Sequence, residues 1–154
     1  MFHDFPPPMQ PSFHSPMKPV LTLDAAKRVA QHALDTARQY ALKVAVAIVD
    51  DGGRLLYFER MDEVPWGSGE VALAKAASAA AYRRDTAVFD DRLANGRLAV
   101  LGQPEAFPIQ GGVALRIGGL CVGAIGASGA LASEDTMLCQ AGAAALASVE
   151  NDLG

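Results

Sequence analysis

Residues 43–62 read KVAVAIVDDGGRLLYFERMD, and this stretch decides the fold. Residues 44–49 are apolar and rich in side chains that favour strands. Residues 50–53 then carry turn chemistry, since Gly52 and Gly53 tolerate the positive φ that a tight hairpin turn demands. Strand character returns over residues 54–60. Two strands joined by so short a turn must run antiparallel. A β-hairpin is therefore expected here.

Upstream of the hairpin, Thr22 has the chemistry of a helix N-cap. Ala26, Val29, Ala30, Ala33, Leu34, Ala37 and Ala41 follow at helical spacing, with Lys27, Arg28, Gln31, Asp35 and Arg38 largely on the other side. The spacing predicts an amphipathic helix over 23–41. Before it, residues 1–19 hold six of the nine prolines, which fix φ and remove backbone donors. This segment is expected to be an extended arm, either a disordered tail or one that Phe2, Phe5 and Phe13 anchor on a neighbouring subunit.

After the hairpin, Ser68 is a candidate cap for a second helix whose body, VALAKAASAAA, is nearly all small residues. Glu70 suits its N-terminal end, and Arg83 with Arg84 its C-terminal end. Residues 85–112 are weakly patterned, with a short helical piece over 87–94 and then a long loop of the kind that tends to shape a pocket. VALRI, GG and LCVGAIGASG read as a second hairpin, and a last helix starts near Ser133. Helix, hairpin, helix, loop, hairpin, helix is the order of an α+β domain: one antiparallel sheet with helices packed on it.

GAIGASG at 123–129 looks like a phosphate-binding glycine loop, but its glycines are three apart. A dinucleotide fingerprint needs Gly-x-Gly-x-x-Gly inside a βαβ unit, with an acidic residue about 20 positions further on. Only 25 residues follow Gly129, and they read as helix. No Gly-Lys-Ser/Thr ends the stretch, and Glu134 with Asp135 occupy the positive helix end where phosphate would sit. These features oppose nucleotide binding. Gly123 and Gly126 are read as points of close approach, and Gly129 as the exit turn.

Composition bounds the rest. With 154 residues, 51 % hydrophobic and 19 % charged, the chain suits one domain with a real core. A net charge of −4, with the signs mixed, gives no general attraction to nucleic acid or an anionic membrane. No apolar run approaches the roughly 18 residues of a transmembrane helix, and the N-terminus lacks the pattern of a secretory signal. Cys121 and Cys139 lack the spacing of a disulfide framework or a zinc site and are expected to be reduced thiols, which makes the cytoplasm the expected compartment.

LTLDAAKRVAQHALDTA, VAIVDDGGRLLYFERMD, GSGEVALAKAASAAAYRRDT, FPIQGGVALRI and VGAIGASGALASEDTMLCQAG occur in this order. Together they resemble the GlcG/HbpS-like haem-binding (haem-degrading) family, also found as the C-terminal domain of some corrinoid adenosyltransferases. The resemblance spans residues 20–147. It implies a profilin-like fold, a five-stranded antiparallel sheet between helices, and assembly into dimers or octamers. It also makes haem the named candidate ligand and separates residues 20–154, as the domain, from the arm.

Haem asks for an axial ligand, an apolar slot and cations for its propionates. Of the histidines, His3 and His14 lie in the arm. His32 lies towards the polar face of the first helix, either solvated or a ligand. Thr86 and Met61 are the other candidate ligands. Arg60, Lys75, Arg83 and Arg84 supply cations around the second helix, and Trp66 is placed to wall a pocket. Lys75 sits alone among alanines and needs either a carboxylate, with Glu70 or Glu134 as candidates, or a polar site. An alternative is a cofactor-independent enzyme of isomerase, lyase or tautomerase type acting on a small organic acid. There Glu134 or Asp135 would act as base, and Lys75 would hold the acid or stabilise an enolate.

Overall fold

The computed structural model describes Asp4, residues 6–9 and residues 13–152, the side chains of 149–152 excepted. Phe2, His3 and Phe5 lie outside the described residues. Four helices, α1 (Leu23–Gln39), α2 (Trp66–Tyr82), α3 (Ala87–Ala94) and α4 (Ala132–Asp152), accompany four strands. The strands are β1 (Ala45–Asp50), β2 (Leu55–Arg60), β3 (Gly112–Ile117) and β4 (Leu120–Ser128).

The first hairpin forms for the local reason expected. Asp50 Oδ1 accepts the N–H groups of Gly52 (2.9 Å) and Arg54 (3.0 Å), and Gly53 takes φ 77°. α1 is capped by Thr22, whose Oγ1 accepts the Ala25 N–H at 3.1 Å. α2 starts earlier than Ser68: Pro65 precedes its first residue, and the Ser68 N–H bonds the Pro65 carbonyl at 3.0 Å. Proline's preset φ and missing donor suit a helix entrance.

All strand pairs are antiparallel, in the order β2-β1-β4-β3. The two hairpins thus join through their long inner strands, β1 and β4. The sheet has four strands, a correction to the five that the resemblance implies. The stretch between α3 and β3 cannot supply another, because Leu98–Gly102 closes a 3-10 turn. Pro104 and Pro108 then remove ladder donors from residues 103–111.

Side chains alternate across β1. Val46 and Ile48 join the larger core beneath α1 and α4, while Ala45, Ala47 and Val49 meet the alanines of α2 on the opposite face. The sheet therefore lies between helices. The α2 side is thin because Gly126 of β4 carries no side chain. A Cβ there would stand 2.1 Å from the Ala72 carbonyl oxygen. No helix among the described residues is long and apolar enough to cross a membrane.

Candidate functional site

Two places gather the residues singled out from the sequence. The first lies at the end of β4, where α2 and the start of α4 meet. Lys75 Nζ donates to Asp135 Oδ2 at 3.0 Å and to the Ala127 carbonyl at 3.0 Å. The second carboxylate oxygen, Oδ1, accepts the Ala130 N–H at 3.2 Å. Both residues are buried, at 1 % and 2 % exposure. The lysine's partner is thus Asp135, not Glu70 or Glu134. Burial pushes the Asp135 carboxyl above its ordinary range, opposed by the Lys75 charge and by the hydrogen bonds from Lys75 and Ala130.

Gly111 seals this pair. A Cβ on it would lie 2.7 Å from Lys75 Nζ and 2.9 Å from Asp135 Cβ. Its carbonyl accepts the Ala127 N–H at 2.9 Å and the Cys139 thiol at 3.2 Å. Burial pushes that thiol's pKa far up, which keeps it protonated. Thr86 holds the same corner. Its Oγ1 accepts the Gly112 N–H at 2.9 Å, while its own N–H bonds the Gly112 carbonyl at 3.0 Å. Glu134 is engaged elsewhere: its Oε2 accepts the Leu131 N–H at 2.9 Å, one arm of a helix-capping box.

The second place is an open groove of roughly 540 Å³ between β2 and the first turns of α2. Leu55, Phe58, Trp66 and Leu73 line it, with Arg60 and Glu70 as its charged groups. A bulge makes this wall. The β1–β2 register slips between Ile48 and Val49, so Leu56 goes unpaired and Leu55 pairs with Val49 on the α2 face, like Phe58 opposite Ala47. Phe58 rests on Gly69, where a Cβ would stand 2.8 Å from its ring. Trp66 is 74 % exposed, and no ion pair holds Arg60 or Glu70 among the described residues.

The structure therefore brings Lys75 together with Asp135, and Arg60 together with Trp66, but keeps the two sets apart. Arg83 caps α2 in the left-handed region at φ 52°; with Lys18, Asp51 and Cys121 it lines a smaller cavity of about 100 Å³. The Lys18 ammonium, paired with Asp51, holds that carboxyl below its usual range. Arg84 turns back onto the Tyr82 carbonyl at 3.4 Å. His32 is exposed on α1, the helix packed on the other face of the sheet from α2. Met61 spends its thioether on the Val44 N–H, at 3.4 Å. Sequence reasoning missed Leu55, Phe58 and Leu73, because the bulge that turns Leu55 inward has no mark in LLYFER.

A family model described as haem-degrading protein, HbpS-like, matches residues 21–144. Protein GlcG of Escherichia coli K12 is 32 % identical over 111 residues, which cover 72 % of this chain and 83 % of that protein. A crystal structure of a double mutant of Streptomyces reticuli HbpS is similar with a TM-score of 0.76 and 30 % identity, covering 84 % of this chain and 89 % of that one. PduOC in complex with haem is similar with a TM-score of 0.74 and 28 % identity, over 82 % and 95 % of the two chains.

Proposed function

Because this chain belongs to the HbpS-like family, we propose that it is a small-ligand-binding protein whose ligand, of the haem class, lies in the β2–α2 groove. One observation carries the reading: an exposed indole, Trp66, stands with Phe58 in an apolar groove that also holds the unpaired Arg60. Aromatic walls with a few placed polar groups are what a flat, largely apolar ligand selects. A guanidinium at the edge suits a propionate.

Haem fits this groove in part. The apolar wall and the cation are present. An axial ligand is not, for no histidine, cysteine, methionine or tyrosine is among the residues that line it. The residues on hand are those of a binder of the ring and its carboxylates. The isomerase-type alternative needs Lys75, Glu134 and Asp135 open to a substrate. The burial of Lys75 and Asp135, and the hydrogen bonds that hold all three, favour a structural role instead. On the same reading the fold is profilin-like and residues 1–19 are an arm outside the 20–154 domain. The protein acts in the cytoplasm as a homo-oligomer, with the smooth surface of α2 favouring self-association.

Haemin titration tests this. Trp66 is the only tryptophan, so its fluorescence reports the groove directly. Saturable quenching near one equivalent, together with a Soret shift, is expected. Arg60→Ala is expected to weaken binding roughly tenfold, near 1.4 kcal/mol. Linear, unsaturated quenching, or an affinity untouched by Arg60→Ala, would remove the groove as the site.

A further inference from the structure

We propose that the groove reads the face and carboxylate edge of a tetrapyrrole and is indifferent to its central metal, so that metal-free porphyrin binds as well as haemin. This rests on the groove being the ligand site.

The donor chemistry of the lining decides this. Leu55, Phe58 and Leu73 offer only carbon, Gly69 has no side chain and lies against the Phe58 ring, and Trp66 offers a π-face and an N–H donor. None of these gives a lone pair to a metal. Glu70 is the one side-chain donor to a metal in the lining, and it is exposed, with no hydrogen bond or ion pair to orient it. A side chain that ligates a metal is ordinarily aimed by a second group. Its negative charge would also oppose the propionates that Arg60 attracts.

Several of the usual ligand types elsewhere on the described chain are committed or misplaced, while His14 stands exposed in the segment before α1. His32 faces outward from the opposite layer, and Cys139 is buried with its thiol on the Gly111 carbonyl. Met61 accepts from Val44, and the Tyr57 hydroxyl donates to Glu59 at 2.8 Å. What is left to distinguish ligands is shape, aromatic contact and the carboxylate–Arg60 pair, and these are the same with or without a metal. The chemical class is a planar macrocycle bearing carboxylates on one edge, bound from one side.

Matched titrations of the full chain with haemin, protoporphyrin IX and zinc protoporphyrin, read by Trp66 quenching, test the proposal. Dissociation constants within about threefold of one another are expected, with Arg60→Ala weakening all three by a common factor and Glu70→Gln leaving their ratio unchanged. Bound haemin should show no low-spin spectrum until imidazole is added, and should then accept it. Haemin binding at least tenfold tighter than protoporphyrin IX, or a low-spin spectrum without imidazole, overturns the indifference while keeping the groove as the site. If none of the three quenches Trp66 saturably, the ligand reading itself fails and the inference goes with it.

Discussion

Lys75→Met should cost about 3–5 kcal/mol of folding stability, the range for removing one member of a buried ion pair. Methionine fills much of the lysine's length, so the expected loss comes from what is left behind. Asp135 keeps its place at 2 % exposure without a cation, and the Ala127 carbonyl loses its side-chain donor. Removing both charges in Lys75→Met/Asp135→Leu should restore more than half of the loss, because no buried charge is then unpaired. Urea unfolding of the wild type, the single and the double variant reads this directly. A single-variant loss under about 1 kcal/mol would mean that the pair is not closed in solution.

The same pair sets a pH dependence of defined sign. Burial holds the Asp135 carboxyl above its ordinary 3.8, so the folded state binds its proton more tightly than the unfolded chain does. That contribution to stability is complete below 3.8 and is lost as pH rises through the folded value. Asp135→Asn cannot ionise, and it retains an oxygen for the Ala130 N–H. It should therefore gain on the wild type as pH is raised from about 4 towards neutrality. The opposite slope would mean that Lys75 outweighs burial.

These effects turn on contacts that the sequence expresses unevenly. The β1–β2 turn was legible because Asp50, Gly52 and Gly53 carry its chemistry within a few residues. α3 matches the expected span of 87–94. Lys75 stood out as a charge needing a partner, yet its partner lies 60 residues away on another helix. Asp135 and Glu134 are adjacent, and only the direction of the first turn of α4 decides which one turns inward. The groove was half legible. Trp66 and Arg60 are conspicuous by type, whereas Leu55 reaches the wall only through a register slip that strand alternation does not foretell. The fifth strand came from resemblance alone; the two hairpins read from the residues already accounted for every strand observed.

Gly126→Ala should cost about 3 kcal/mol, at the upper end for overpacking, since the clash is with main chain. The added Cβ would stand 2.1 Å from the Ala72 carbonyl oxygen and 2.7 Å from the Ala76 nitrogen. No rotamer relieves that contact, so α2 must lift from β4. Its buried face of Ala72, Ala76 and Ala79 has no long side chain to refill the gap. Gly67→Ala is the matched control in the same helix. Nothing lies within 4 Å of its added Cβ, so a neutral to slightly stabilising change of up to about 1 kcal/mol is expected. Thermal unfolding should separate the two by roughly 10 °C. The displaced helix also carries Trp66, Glu70 and Leu73, one side of the groove. Gly126→Ala should thus weaken porphyrin binding even at temperatures where it is folded, whereas a purely local adjustment of β4 would leave that affinity unchanged.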